Sequence, residues 1–344
     1  MTRSANWKLW LGLLISALFI YLALRQVDSS RMWVVIRSAD PLLFGIVILI
    51  TLFQYVIRAW RWAILLEPIK RTSFLNRLHS VIIGFAANCI FPARLGEFIR
   101  ANYLGQAEKI SGSSTFGTIV VERLFDGFTL LLILLIGLLG TTFPPEWRSV
   151  SASLRATGLI LFGFYILLII FLVGFKYKAK LSLNLIDRLL FLLPRPLRSR
   201  IINIIWNFSL GLVLVRDPRG WVLAVFYSFL LWFSSLVQIQ LVEHAIGLRL
   251  PMVVPFLVMA MASFGVMIPS APGFIGTFHL SVQYAFLFYG VAKEEALSAA
   301  ILWHGAFFFP TLLVGLFSFL LLQTSFSSIS HQPGAFEKEH VSEP

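Results

Sequence analysis

The stretch at residues 88–100 constrains the fold of this chain more than any other. It reads Asn-Cys-Ile-Phe-Pro-Ala-Arg-Leu-Gly-Glu-Phe-Ile-Arg, so that a long apolar run ends at Pro92 and three charged side chains follow it. Those charges are Arg94, Glu97 and Arg100, and another long apolar run comes after them. Because charged side chains are costly in hydrocarbon, a membrane chain that places them here is predicted to build a site.

The composition predicts an all-α, polytopic membrane protein. Of the 344 residues, 58% are hydrophobic and only 13% are charged, whereas a soluble domain carries about 25% charged residues. Several apolar runs reach the roughly 20 residues that a helix needs to cross the hydrocarbon core. The spacing predicts about six spanning helices, near residues 7–24, 41–66, 115–139, 154–175, 221–245 and 296–322.

The positive charge of the chain indicates a membrane surface and not nucleic acid. The net charge is +12, but the basic residues lie in short loops between apolar runs, which is the pattern of cytoplasmic loops. The longest basic stretch, at 176–219, is predicted to form amphipathic helices on the cytoplasmic leaflet. We therefore expect anionic membrane lipids as partners, with both termini on the cytoplasmic side of a prokaryotic plasma membrane.

The same pattern sets the domain boundaries. The first apolar run is followed by Arg25 and not by a small-residue cleavage site, so it is predicted to be a retained helix. Residues 1–325 are predicted to form one integral membrane domain, and residues 326–344 a disordered cytoplasmic tail. The single cysteine, Cys89, excludes an intramolecular disulfide and a cysteine-rich metal site, and no cofactor is expected.

Two apolar segments are interrupted by Pro and Gly at corresponding places in the two halves. Residues 74–91 end at Pro92, and a helix is predicted to leave at 93–107. Residues 251–268 end at a break over 269–276, and a helix is predicted to leave at 277–290. Counted from the cytoplasmic loop, the first hairpin opens to the cytoplasm and the second to the outside, which predicts two re-entrant hairpins in an inverted repeat. The alternative is two ordinary spanning helices with proline kinks.

The first break offers an anion site. Arg94, Glu97 and Arg100 follow at i, i+3 and i+6 and are predicted to stack on one face of the exit helix. A helix N-terminus presents unpaired N–H groups and positive partial charge, so together with the arginines it suits a phosphate or another anionic headgroup. The alternative is an ion-pair cluster that only locks the hairpin.

Further charged residues lie on the neighbouring spans. Glu122 and Asp126 are four residues apart and face the same way, and Arg123 is predicted to pair within this group or with the residues of the first break. Glu122, Arg123 and Asp126 then either line the binding site or only neutralise the charges of the residues that do. Arg58 and Arg61, at the end of the second span, are predicted to be interfacial anchors that snorkel to the headgroups.

The second break combines flexible backbone with a titratable ring. Its candidate binding residues are Pro272, Gly273, Gly276, Thr277 and His279. Gly276 is predicted to let the backbone approach a headgroup or the opposing hairpin, where a Cβ would intrude. His279 titrates near neutral pH or is a hydrogen-bonded structural histidine, and His304 in the last span is predicted to be a packed polar residue.

These residues carry a resemblance to a known family. The chain resembles the flippase-like membrane domain family, which includes the membrane half of lysylphosphatidylglycerol synthases, over nearly its whole length to about residue 322. The resemblance rests on Asn88, Pro92-Ala93-Arg94-x-Gly96-Glu97-x-x-Arg100, Val121-Glu122-Arg123-x-x-Asp126 and Pro272-Gly273-x-x-Gly276-Thr277. It implies a protein that moves, or helps to move, anionic phospholipid or polyprenyl-phosphate-linked glycolipid across the bilayer.

Two departures from the family limit what the resemblance implies. Many members have an acidic residue where this chain has His279, so no carboxylate role is carried over to that position. No soluble aminoacyl-transfer domain follows the last span here, so a lysyl-lipid synthase is not implied.

Enzyme functions are less well supported by the sequence. It contains no nucleotide-binding loop or nucleophile elbow, so any transport is expected to run downhill or to use membrane potential or protons. Two alternatives stay open. One is an intramembrane transferase that acts on a lipid phosphate with Glu97 or Asp126 as base, and the other is a non-catalytic partner of a cell-envelope glycosyltransferase.

Overall fold

A computed structural model describes residues 3–91, 94–141, 148–177, 197–198, 201–203 and 218–330. Within these ranges the chain forms α-helices and no β-strand. The helices are α1 (Arg3–Leu24), α2 (Ser29–Ser38), α3 (Pro41–Leu66), α4 (Phe74–Ile90), α5 (Gly96–Glu108), α6 (Gly112–Gly140), α7 (Arg148–Tyr177), α8 (Pro218–Ala245), α9 (Val254–Met267), α10 (Thr277–Leu287) and α11 (Lys293–Ser330), with a 3₁₀ turn at Pro272–Phe274 between α9 and α10.

Local sequence signals explain several helix ends. The Asp40 carboxylate accepts hydrogen bonds from two N–H groups at the start of α3, and Pro41 occupies the first turn, where no N–H is needed. Asp28 caps α2 in the same way. After α5 the backbone adopts the left-handed conformation at Lys109, with φ 55°, and after α10 it does so at Gly290, with φ 76°.

Helices are present at all six predicted spans, but only some of them meet the combined requirements of length and apolar composition for a membrane span. Among the described residues, three helical stretches have the length and composition of a span: Pro41–Leu66, Arg219–Ala245 and Lys293–Leu321. A fourth is obtained if Gly12–Leu24 and Ser29–Ser38, which are bent by 87°, are one broken span. The described residues therefore contain three or four candidate membrane spans, and the prediction of six spans is not confirmed.

The centre of the fold is an antiparallel pair formed by α3 and α8. The Asp40 N–H at the start of α3 donates to the Ala245 carbonyl at the end of α8, over 2.8 Å. Midway, Gln238 donates to the Thr51 hydroxyl over 2.7 Å. Near the other end, Arg61 donates to the Ser228 hydroxyl over 2.9 Å. Residue numbers fall along α8 as they rise along α3, so the two helices run in opposite directions.

The helices around this pair pack in two matching sets. In the first set α4 packs on α5, α5 on α6 and α4 on α11. In the second set α9 packs on α10, α10 on α11 and α9 on α6. The helices that precede α3 and α8 match as well, because α2 packs on α11 and α7 packs on α6. The two interrupted segments lie next to each other, because α4 also packs on the 3₁₀ turn between α9 and α10.

Two predicted regions are only partly covered by the structure. Most of the basic stretch at 176–219 lies outside the described residues, as does the chain after residue 330. The last helix, α11, continues to Ser330 and so extends past residue 326, where the disordered tail was predicted to begin.

Candidate functional site

The candidate site includes a buried ion pair between α3 and α6. The Arg61 guanidinium donates to both carboxylate oxygens of Asp126, over 2.6 and 3.3 Å. The Trp232 indole of α8 also donates to Asp126, over 3.1 Å. Arg61 is completely buried, so the prediction that it is an interfacial anchor was wrong. Its side chain turns inward because Asp126, on the neighbouring helix α6, provides a bidentate carboxylate partner inside the protein.

A second ion pair joins α5 to α6. The Arg100 guanidinium donates to both oxygens of Glu122, over 2.9 and 2.8 Å. Its central carbon lies 3.7 Å from the centre of the Trp62 ring, which adds a cation–π contact. Glu122 also lies 3.3 Å from Arg61, so the two pairs form one network.

Arg123 connects this buried network to the more exposed Glu97. Its guanidinium lies 3.2 Å from Glu122 and 3.2 Å from Asp126, and 3.5 Å from the Glu97 carboxylate on α5. The Arg123 side chain is 35% exposed and that of Glu97 is 18% exposed, whereas Glu122 is fully buried. The sequence therefore predicted correctly that Arg123 pairs with its neighbours on α6.

The network carries more positive than negative charge. Arg58, one turn before Arg61, is buried with its guanidinium 4.5 Å from the Phe85 ring, and no described residue accepts a hydrogen bond from its Nη1. Burial also makes the prediction of an interfacial anchor wrong for Arg58. Four arginines are gathered against three carboxylates: Arg58, Arg61, Arg100 and Arg123 against Glu97, Glu122 and Asp126. These side chains alone therefore carry one positive charge more than negative charges.

At the first break, close packing fixes the start of α5. The Gly96 N–H donates to the Asn88 carboxamide oxygen over 2.8 Å. A Cβ at Gly96 would lie 1.9 Å from the Gly84 carbonyl oxygen of α4, so only glycine allows this approach.

The exit helix begins three residues later than predicted, and this changes the position of Arg94. Because α5 begins at Gly96, Arg94 lies in the preceding turn at φ 53°. The prediction that Arg94, Glu97 and Arg100 share one helix face was therefore wrong. Arg100 points to Glu122, whereas Arg94 reaches across to the second break, where it donates to the Val266 carbonyl over 3.4 Å.

The second break is held by two histidines. The Nε2 atom of His304, on α11, lies 2.8 Å from the Gly273 carbonyl oxygen. The Gly276 N–H points to Nδ1 of His279 over 3.4 Å. Both glycines have positive φ, 73° and 95°, which explains why glycine occupies them. The two imidazole rings lie 4.7 Å apart, centre to centre.

The predicted role of Gly276 in approaching the opposing hairpin was wrong. A Cβ at Gly276 would lie 2.7 Å from the Ser16 carbonyl oxygen of α1, so this glycine packs against the first helix. The residue that approaches the first break is Gly273, whose Cβ would come within 3.5 Å of the Cys89 carbonyl oxygen at the end of α4. Thr277 is fully buried and donates to the Ser270 hydroxyl over 3.2 Å.

A small cavity of about 140 Å³ lies between the two breaks. Of the predicted residues it brings together Asn88, Arg94, Glu97 and Arg123, while Arg100, Glu122 and Asp126 lie beneath it in the ionic network. From the second half only His304 adds a polar side chain to the wall. The full lining is Phe85, Asn88, Arg94, Glu97, Arg123, Val266, Phe274, Phe278, His304 and Phe307.

The wall of the cavity combines cationic and aromatic side chains. The exposed Arg94 side chain lines the cavity, and the central carbon of its guanidinium lies 5.8 Å from the centre of the Phe274 ring. No group of three or more His, Cys, Asp or Glu side chains able to hold a metal ion occurs in the described part of the chain. A charged headgroup with apolar neighbours matches a wall made of cations and aromatic rings.

Comparison with known proteins gives a family match over most of the chain. The family described as "Lysylphosphatidylglycerol synthase TM region" matches residues 9–315. A UPF0104 membrane protein of Pyrococcus horikoshii is 26% identical over 323 residues, covering 90% of this chain and 96% of that protein. Another UPF0104 membrane protein, from Methanothermobacter thermautotrophicus, is 21% identical over 274 residues, covering 77% of this chain and 81% of that protein.

A longer relative carries a functional name. The protein named "Glycosyltransferase AglD" of Haloferax volcanii is 23% identical over 356 residues, which cover 96% of this chain. The chain spans only 57% of the length of that relative. The similarity therefore concerns a part of the Haloferax protein.

Proposed function

The chain belongs to the lysylphosphatidylglycerol synthase transmembrane-region family, and we propose that it moves an anionic lipid headgroup through the cavity between its two interrupted helices. The lipid is an anionic phospholipid or a polyprenyl-phosphate-linked glycolipid, and the movement does not use ATP hydrolysis. The protein acts in a prokaryotic plasma membrane with both termini in the cytoplasm, as the loop charges indicate.

The observation that carries this proposal is the unbalanced positive charge beside the cavity. The network below already contains one arginine more than it has carboxylates, and Arg94 adds another positive charge at the wall. Arg94 has no carboxylate partner within 4 Å among the described residues, and its hydrogen bond to Val266 is long. A phosphate provides acceptor oxygens of the opposite charge, so it can satisfy donors that the protein leaves unmatched.

The matching sets of helices support a mechanism of alternating access. In this mechanism α3–α6 and α8–α11 are inverted repeats, and the antiparallel α3–α8 pair lies on the pseudo-twofold axis. The hairpins α4–α5 and α9–α10 are then re-entrant, one open to each side, and the headgroup passes between them. The charges are concentrated in the first repeat, because α10 and α11 contribute His279 and His304 where α5 and α6 contribute ion pairs.

A second candidate function follows from the Haloferax relative. Its name is that of a glycosyltransferase, and the match covers 57% of its length. By analogy, this chain is a non-catalytic partner that presents a lipid-linked sugar to a separate glycosyltransferase. A transferase that uses Glu97 or Asp126 as base is less well supported, because both carboxylates are engaged with arginines.

Reconstitution in liposomes tests the proposal. The purified protein is placed in phosphatidylcholine vesicles that contain trace amounts of head-labelled or tail-labelled phosphatidylglycerol, and the loss of fluorescence after adding an external quencher reports translocation. We expect faster translocation of phosphatidylglycerol than in protein-free vesicles, with an unchanged lipid composition by mass spectrometry. A change in lipid composition would indicate the transferase instead.

Two variants locate the activity. The Arg94→Gln substitution removes one charged hydrogen-bond donor, a loss of about 1.5–3 kcal/mol for the bound headgroup, or roughly tenfold to a hundredfold in rate. The matched control is Arg71→Gln, because the Arg71 side chain is 90% exposed and lies 3.6 Å from Glu67 at the surface. Wild-type protein that is no faster than empty vesicles, or an Arg94→Gln variant as fast as the control, would refute the proposal.

A further inference from the structure

We propose that His304 is a proton-binding site at the wall of the cavity, and that a proton and an anionic headgroup bind there cooperatively. This inference rests on the proposed function, and it adds the energy source: movement of the anionic lipid is coupled to protons.

The contacts of His304 determine which of its ring nitrogens can take a proton. Its Nε2 lies 2.8 Å from the Gly273 carbonyl oxygen, and a carbonyl oxygen only accepts hydrogen bonds. Nε2 therefore carries the hydrogen, and Nδ1 of the neutral ring carries the lone pair. A proton added at Nδ1 leaves the bond to Gly273 in place.

The same reasoning gives His279 a different role. Its Nδ1 accepts the Gly276 N–H at the start of α10. Protonation at Nδ1 would place two donors against each other and break this contact. His279 therefore holds the backbone of the second break in its neutral form. Of the two rings, only His304 can change charge without disturbing the backbone that it contacts.

The charges around His304 make its protonation depend on the occupant of the cavity. The titratable or charged groups that face His304 are His279 of α10, Arg94 before α5, Glu97 of α5 and Arg123 of α6, with Arg58 of α3 behind the cavity-lining Phe85, and with Cys89 of α4 and Tyr55 of α3 on helices packed against α11. Three of these are cations and one is a carboxylate. An additional positive charge on buried His304 is therefore unfavourable when the cavity is empty.

An anionic headgroup reverses this balance. Its negative charge compensates Arg94 and Arg123, so that a proton on His304 becomes favourable. By thermodynamic reciprocity, protonation of His304 raises the affinity for the headgroup by the same factor that the headgroup raises the affinity for the proton, typically about 5–150-fold. The lipid and the proton then enter and leave the cavity together, and a pH gradient can drive the lipid.

Binding of a defined probe tests the coupling without requiring transport. The probe is dihexanoyl phosphatidylglycerol, whose phosphodiester keeps one negative charge at neutral and mildly acidic pH. Calorimetry of the full chain in nanodiscs, repeated in buffers of different ionisation enthalpy, measures both the affinity and the number of protons taken up. For the wild type we expect proton uptake on binding and an affinity that rises as the pH falls.

Three variants distinguish the role of His304 from that of His279 and from that of a surface histidine. His304→Gln keeps an N–H donor for the Gly273 carbonyl but cannot take a proton, so we expect binding with no proton uptake and no pH dependence. His279→Gln keeps an acceptor for the Gly276 N–H, and we expect it to retain the coupling. His244→Gln is the matched control, because His244 is an exposed histidine near the end of α8.

The outcomes distinguish failure of this inference from failure of the proposed function. Wild-type binding without proton uptake, or unchanged proton uptake in His304→Gln, would overturn the proton site while leaving the headgroup site intact. Absence of probe binding at every pH would overturn the headgroup site and the coupling with it. If His304→Gln does not fold, wild-type binding without proton uptake would still overturn the proton site.

Discussion

Neutralising Asp126 separates the structural part of the charged cluster from the part that faces the cavity. The Asp126→Asn substitution keeps the shape of the side chain but removes the charge that holds fully buried Arg61 and also contacts Arg123. The cluster then contains four arginines against two carboxylates. Removing one partner of a buried ion pair costs about 3–5 kcal/mol, or roughly 150-fold to 5,000-fold in the folding equilibrium.

The Glu97→Gln substitution provides the contrast. Glu97 is partly exposed, and its contact with Arg123 is long at 3.5 Å, while Arg123 keeps its contacts to Glu122 and Asp126. An exposed pair of this kind contributes below about 1 kcal/mol. We therefore expect Glu97→Gln to leave the fold intact and to slow lipid translocation, because the charge balance at the cavity wall changes.

The only cysteine of the chain provides the assay. Cys89 is 3% exposed, so a fluorogenic thiol reagent reacts with it only when the protein unfolds. We expect the unfolding temperature in detergent to fall by at least about 5 °C in Asp126→Asn and by less than about 3 °C in Glu97→Gln. Equal shifts in the two variants, or no shift in Asp126→Asn, would show that the assignment of structural and cavity-facing roles is wrong.

Three other changes test particular parts of the fold. Gly96→Ala places a Cβ 1.9 Å from the Gly84 carbonyl oxygen, so the α4–α5 hairpin should fail to form and thiol labelling should be fast at all temperatures. Gly276→Val brings a branched side chain against the Ser16 carbonyl at a positive φ, and the unfolding temperature should fall by several degrees, about 1–3 kcal/mol of strain. In a cysteine-free background, a cysteine placed at Ser199 should be labelled only from the cytoplasmic side, and labelling from outside intact cells would contradict the predicted topology.

Much of the helical fold could be predicted from the sequence, because apolar length and helix-capping residues act locally. The predicted start of the second span at Pro41 and its end at residue 66 agree with α3, and Asp40 supplies the cap. The first interrupted segment begins at Phe74, as predicted. The number of spans was less predictable, since a break such as that between α1 and α2 depends on packing and not on apolar length.

The site could be predicted only in part, because pairing between distant helices is not visible in the sequence. Glu122, Arg123 and Asp126 could be grouped from their spacing on one helix. Arg61, by contrast, resembled an interfacial anchor, since two helices separate it along the chain from its partner Asp126. Charge balance did not identify Arg61, because Arg94, Arg100 and Arg123 already equal Glu97, Glu122 and Asp126 in number.

The most direct test of the central claim is photo-crosslinking of lipid inside the cavity. A benzophenone amino acid replaces Phe307, which lines the cavity, or Phe317 on the same helix, which is 63% exposed on the lipid-facing surface. The protein is irradiated in membranes of mixed phosphatidylglycerol and phosphatidylcholine, and the adducts are identified by mass spectrometry. We predict that adducts at Phe307 are enriched in phosphatidylglycerol and lose this enrichment in Arg94→Gln, while adducts at Phe317 match the bulk composition. Adducts of bulk composition at both positions would contradict the account.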